Sequence, residues 1–155
     1  MNKTVVVMVG NIGSGKSTYT KKLQKQGYIV VSRDALRYSI GAGEYVFNLD
    51  FEPTIRNISL YMYEKFLQLG ESIVFDETNM SIESRENILT LAKKYGYQTI
   101  AYVTPKIDKE TSIKRRLKDN HGNNSKKVWE EVWERFNIAY EEPSWEEGFG
   151  AVIKG

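Results

Sequence analysis

Three short stretches carry residue types that can handle phosphate. The first, G-N-I-G-S-G-K-S-T at residues 10–18, contains G-x-x-x-x-G-K-[ST] as Gly10, Gly15, Lys16 and Ser17. Glycines there let the backbone curl until successive N–H groups and the start of the following helix face an anion, and Asn11, Ile12, Gly13, Ser14 and Thr18 complete that cradle. Lys16 would then bridge the β- and γ-phosphates of a nucleotide, and the Ser17 hydroxyl would bind Mg²⁺. The second stretch, D-E-T-N at 76–79, follows the apolar run S-I-V-F, and an acid there can hold the same Mg²⁺ directly or through water. Neighbouring strand residues point to opposite sides, so only one of Asp76 and Glu77 faces the phosphates; Asp76 is favoured by analogy with other P-loops. Thr78 and Asn79 read as acceptor contacts or as plain turn and cap residues. In the third, S-R-D-A-L-R at 32–37, Asp34 and Arg37 stand three apart and share one helix face. A carboxylate to take a hydroxyl proton and a guanidinium to hold the acceptor are what phosphoryl transfer needs, and Arg33 lies beside them. Asp34 could equally be a helix cap.

A fourth stretch, I-K-R-R-L-K at 113–118, can close over the phosphates and stabilise charge during transfer. Arg115 and Arg116 diverge by about 100° around a helix, so one of them should point outward. Charge is segregated here: Lys106–Lys127 holds eight Lys/Arg against three Asp/Glu, whereas Val128–Gly155 holds two against seven. A basic lid over about 106–127 is one reading, and two ordinary solvated helix faces are the other. His121 reads as a loop residue, and Trp129 and Trp133, at helical spacing, as core.

These stretches need a scaffold, and the chain alternates short apolar runs with amphipathic ones, the grammar of an α/β sandwich. Strands are expected at 4–9, 28–31, 72–75, 97–103 and 151–153, and helices at 16–25, from 34 to before 41, 53–69, 81–94, 108–118 and 126–140. Ile55, Ile58, Met62 and Leu69 should mark the buried face of the third helix, and Ile82, Ile88, Leu89 and Ala92 that of the fourth. Five such strands joined by helices imply a central parallel sheet with helices on both faces, its ligand beyond the carboxyl ends of the strands. At 155 residues the chain reads as one domain, 1–155. It has no cysteine, no run long enough to span a membrane and no signal peptide, so a cytoplasmic protein without a membrane partner is expected. A net charge of +2 decides nothing about nucleic acid.

With S-R-D-A-L-R-Y-S-I, F-D-E-T-N-M-S-I-E-S-R, the arginine-bearing helix and P-S-W-E-E-G-F added to the P-loop, the chain resembles, from about Lys3 to Phe149, the small P-loop kinases that include the kinase domain of phage polynucleotide 5′-kinase. The resemblance implies a P-loop three-layer sandwich, ATP as donor with Mg²⁺, Asp34 as general base, Arg37 as acceptor contact and Arg116 as the first lid arginine. Asn120 stands where a second lid arginine is expected, with Lys118 as a substitute, and Arg85 matches an arginine that often follows D-x-T-N. The expected reaction is γ-phosphate transfer to the 5′-OH of DNA or RNA. A hydroxymethyl-modified base in DNA, a nucleoside or another small molecule are alternative acceptors. A nucleotide-dependent switch is a further alternative, weakened by the absence of N-K-x-D and by the presence of Asp34 and Arg37.

Overall fold

Val5, Val7 and Val9 point to one side of the first strand and Val6 and Met8 to the other, and all five are buried. A strand covered on both faces belongs in the middle of a parallel sheet, and that is its position. The structure, a computed structural model, describes residues 3–118 and 124–155; Asn120 and His121 lie outside the described residues.

The elements run β1 (Thr4–Val9), α1 (Lys16–Lys25), β2 (Ile29–Val31), α2 (Arg33–Ser39), α3 (Glu52–Gln68), β3 (Ile73–Phe75), α4 (Ile82–Lys94), β4 (Gln98–Val103), α5 (Lys109–Lys118), α6 (Lys126–Ala139) and β5 (Ala151–Lys154). All pairings are parallel and the strand order is β2-β3-β1-β4-β5. The P-loop strand thus has the acidic strand β3 as a direct neighbour, and β2 lies one strand further out. The chain turns one way from β1 to β2 and β3 and the other way to β4 and β5, so the crevice opens at the carboxyl end of β1.

Leu23 of α1 packs with Val6, Met8 and Val74 on one face of the sheet. Tyr63 and Leu67 of α3 and Ile88, Leu89 and Ala92 of α4 pack with Val5, Val7, Ile73 and Phe75 on the other. A third cluster, Ile12, Ile113 and Trp129, seats the α5–α6 pair on the P-loop. Among the described residues no helix is long and apolar enough to cross a membrane.

Two buried faces differ from expectation. In α3 the inward residues are Ile55, Ser59, Tyr63 and Leu67, while Ile58 and Leu69 are exposed. Tyr63 can be buried because its hydroxyl donates to the Ile88 carbonyl at 2.8 Å, and Ser59 because its hydroxyl donates to the Arg56 carbonyl at 2.8 Å. Counting only aliphatic residues placed that stripe a step off. In α4, Ile82 is exposed next to the Ser81 cap, and Arg85 takes a fully buried place instead.

Candidate active site

The carboxyl ends of β1, β2 and β3 converge on one cavity of about 600 Å³. Gly15 precedes α1 with φ 96° and offers no side chain to cap it, so the first N–H groups of the helix stay available to an anion. Gly13, at φ 65°, lies so close to α5 that a Cβ would strike the Ser112 carbonyl, and a Cβ on Gly10 would strike the Thr104 hydroxyl. The loop is therefore glycine-rich for two reasons: backbone conformation, and the close approach of α5 and the β4–α5 connection.

Lys16 folds back over this loop, its Nζ donating to the carbonyls of Gly10 and Asn11 at 2.8 Å each. Burial lowers its pKa to about 8; Asp76 opposes that shift, Arg116 adds to it, and Asp34 and Glu77 oppose it further. Ile12, Gly13, Ser14, Gly15, Lys16 and Ser17 line the cavity. Gly10, Asn11 and Thr18 do not. Asn11 instead fastens the loop to α6, with Nδ2 donating to the Trp133 carbonyl at 3.0 Å and Oδ1 accepting from the Ile12 N–H.

Beyond β3 the two acids part company. Asp76 lines the cavity and interacts with Lys16 and Thr20; burial raises its pKa, with Lys16 as the chief opposing influence. Glu77 is held by Arg33, accepting from its backbone N–H at 2.6 Å and pairing with its Nε at 3.0 Å. Thr78 lines the cavity, and its carbonyl accepts the Gly10 N–H at 3.0 Å. Asn79, expected among the acceptor contacts, lies outside the cavity: it is buried at φ 46° and its Nδ2 donates to the Met8 carbonyl at 2.9 Å. Its Nδ2 ties the turn after β3 to the end of β1.

On the β2 side, Ser32 caps α2 by accepting from the Ala35 N–H at 3.2 Å, so Asp34 is not the cap. The Asp34 carboxylate accepts from Arg37 Nη1 at 2.6 Å and the Tyr45 hydroxyl at 3.1 Å on one oxygen, and from Arg116 Nη1 at 3.2 Å on the other. Burial pushes its pKa up, but the two guanidiniums reverse that, and the carboxyl sits below its ordinary value. Arg37 differs from expectation in its availability. Its Nε and Nη2 grip both oxygens of Glu52 and its Nη1 grips Asp34, so all three nitrogens are engaged in a side chain buried to 9 % exposure. Glu52 and Tyr45 were missed in the sequence. Glu52 looks like an ordinary first-turn acid before Pro53, and Tyr45 sits in an irregular connection.

Helix α5 closes the opposite wall. Arg116 reaches Asp34 across the cavity and stacks over the Trp129 ring at 4.4 Å. Arg115 is exposed and donates to the Gly13 carbonyl at 3.1 Å, and Lys118 is exposed and outside the cavity. Across the helix pair, Lys109 of α5 meets Glu134 of α6 at 2.8 Å, so part of the charge segregation is mutual.

A P-loop on the central strand, an acid on the adjacent strand and an arginine-bearing helix across the gap define the class: this is a P-loop domain with a kinase-like α/β fold. More particularly, the chain belongs to the AAA domain family AAA_33, which matches residues 5–143. A protein of Autographa californica nuclear polyhedrosis virus, provisionally named a bifunctional polynucleotide kinase/RNA ligase, is 26 % identical over 129 residues, covering 76 % of this chain and 18 % of its own length. A 2′,3′-cyclic-nucleotide 3′-phosphodiesterase of Pongo abelii is 29 % identical over 107 residues, covering 67 % of this chain and 24 % of its own. The chain thus spans a quarter or less of these curated relatives. Among solved structures, a fungal RNA kinase shares the fold with a TM-score of 0.63 at 19 % identity, over 99 % of this chain and 38 % of that one.

Proposed function

We propose that residues 1–155 act as one catalytic unit, an ATP-dependent kinase that transfers the γ-phosphate to the 5′-OH of a polynucleotide. The observation that carries this reading is Asp34: relieved of capping by Ser32, it is held as a carboxylate inside the phosphate cavity by Arg37, Tyr45 and Arg116. A nucleotide switch has no use for that group. Similarity to a polynucleotide kinase/RNA ligase supports the choice of acceptor.

In the proposed reaction the acceptor hydroxyl donates its proton to Asp34 while its oxygen attacks the γ-phosphorus. The bond to the β–γ bridging oxygen breaks, ADP leaves and the proton remains on Asp34. Lys16 exchanges the Gly10 and Asn11 carbonyls for β- and γ-phosphate oxygens. Arg116 moves from Asp34 to the transferring group, which both frees the base and stabilises the charge. Arg37 acts from its fixed place between Asp34 and Glu52, with Arg33 and Thr78 on the acceptor wall. Ser17 and Asp76 line the same cavity as Lys16 and carry hard oxygen donors, a pair that fits Mg²⁺ and would hold it. Bound there, Mg²⁺ would supply charge neutralisation of the triphosphate.

The test is γ-labelled ATP with Mg²⁺, offered 5′-OH DNA, 5′-OH RNA, free nucleosides and hydroxymethyl-base duplex in parallel. Label at polynucleotide 5′ ends is expected. Label confined to nucleosides or to modified bases, or ATP bound with no acceptor labelled, overturns the reading.

A further inference from the structure

The cavity does not end at Asp34. An open cleft of about 640 Å³ continues outward between α2, α3 and α4, and Arg33, Leu49 and Glu52 line both spaces. Along the outer cleft stand Arg56 and Asn57 on the first turns of α3 and Asn87 on α4. These three side chains are exposed, and among the described residues none makes a hydrogen bond or ion pair. Of its guanidinium, Arg33 gives only Nε to Glu77. The one carboxylate lining the cleft, Glu52, is already spent on Arg37. The cleft therefore presents hydrogen-bond donors and unneutralised positive charge next to a site that expects an acceptor, and it has an apolar divider, Leu49, at 76 % exposure.

The geometry points to a subsite for the phosphodiester backbone of the acceptor strand beyond its terminal nucleotide, with Arg56 as the principal phosphate contact and Asn57 and Asn87 as supporting donors. The inference rests on the polynucleotide reading above and deepens it. Arg37, locked by Asp34 and Glu52, cannot follow a strand outward, whereas Arg56 has no internal partner to give up. A terminal 5′-OH carries no phosphate of its own, so the charges that distinguish a strand from a nucleoside fall outside the inner cavity, where Arg56 stands. The subsite would select polynucleotides over small hydroxyl acceptors through KM.

The test measures binding and turnover separately, using 5′-OH acceptors of one, two, three and six nucleotides with the wild type, Arg56→Ala and Arg56→Lys. The expected results are tighter binding as the strand lengthens past its first nucleotide, and a loss of about tenfold in hexamer affinity for Arg56→Ala, the scale of one charge-assisted contact at a solvated site. Mononucleotide affinity and ATP affinity should be unchanged, and Arg56→Lys should recover most of the loss. The salt slope of hexamer binding should become shallower by roughly 0.7, one single-strand phosphate. Equal effects of Arg56→Ala on every acceptor length, or no effect on the hexamer, overturn the subsite. Strand binding that depends on Arg56 without any phosphorylation would uphold the subsite while sinking the kinase reading.

Discussion

The two walls of the cavity are built by different physics. The donor wall is backbone: a glycine loop shaped by positive φ at Gly13 and Gly15, pressed under α5, and laid over the end of β1. The opposite wall, the acceptor side in the reading proposed above, is side chain: a relay in which Glu52 holds Arg37, Arg37 holds Asp34, and Asp34 holds Arg116, with Glu77 holding Arg33 alongside. A backbone wall tolerates few substitutions but needs few partners. A side-chain wall can be retuned one residue at a time, and its members depend on residues far away in the chain.

The largest effect should come from removing the group that both walls face. Asp34→Asn is expected to cut transfer by roughly 10²-fold or more, the scale of a lost general base, while nucleotide affinity holds. Single-turnover transfer beside equilibrium ATP binding checks this, and unchanged turnover would reduce the acceptor wall to scaffold.

Glu52→Gln comes next, because it removes the charge that fixes Arg37 from behind without touching a ligand. A loss of about tenfold in kcat/KM for the acceptor is expected, from misplacement of Asp34 and Arg37. ATP KM should stay put, and an equal loss on the ATP side would show that the walls are not separable.

On the donor wall, Gly13→Ala introduces a Cβ at φ 65° against the Ser112 carbonyl. The left-handed backbone alone costs about 1–2 kcal/mol, visible as a lower melting temperature. Nucleotide affinity should fall with it, because relieving the clash shifts either the loop or α5; a variant as stable as the parent would mean the loop is less rigid than its glycines imply.

The smallest effect expected is on pH. The proposed base, Asp34, works only when ionised, so the rate should fall as pH drops through its pKa, which Arg116 and Arg37 hold below the ordinary aspartate value. Arg116→Gln removes one of those cations, so the acidic limb of the pH–rate profile should move to higher pH. The profile to follow is that of kcat/KM, which reports the free enzyme, where Arg116 still pairs with Asp34; an unmoved limb there would mean that Arg116 does not set the Asp34 pKa.

The same contrast explains what could be read in advance. Gly10 to Ser17 was legible because a phosphate loop is local: its residues are consecutive and their spacing is the mechanism. Strands and helices were legible for the same reason, apart from two buried faces: in α3 Tyr63 and Ser59 are buried through their hydrogen bonds rather than their hydrophobicity, and in α4 Arg85 is buried while Ile82 is exposed. Asp34 stood out from its spacing to Arg37, but its partners Tyr45 and Arg116 lie 11 and 82 positions away in sequence, and Glu52, which holds Arg37, lies 15 from that arginine. Nothing in S-R-D-A-L-R says that Arg37 is locked from behind. Asn79 stayed open between two readings because a polar residue after a strand reads alike whether it meets a ligand or a neighbouring carbonyl, and only the fold shows the Met8 carbonyl beside it.

Arg85 adds a consequence of another kind. Fully buried on α4, its guanidinium meets the Asn79 carbonyl at 2.7 Å, the Glu141 carbonyl at 3.0 Å and both oxygens of Glu147 at 2.7 and 3.0 Å. Until Glu147 arrives, a cation in the interior has no counter-ion, a state that costs several kcal/mol. The turn behind Asp76 is therefore held in part by a carboxylate 62 residues beyond Arg85, and Glu147→Gln should loosen that turn although it lies outside the cavity. One side of the nucleotide pocket is thereby tied to the last turn before β5, through a guanidinium that no ligand touches.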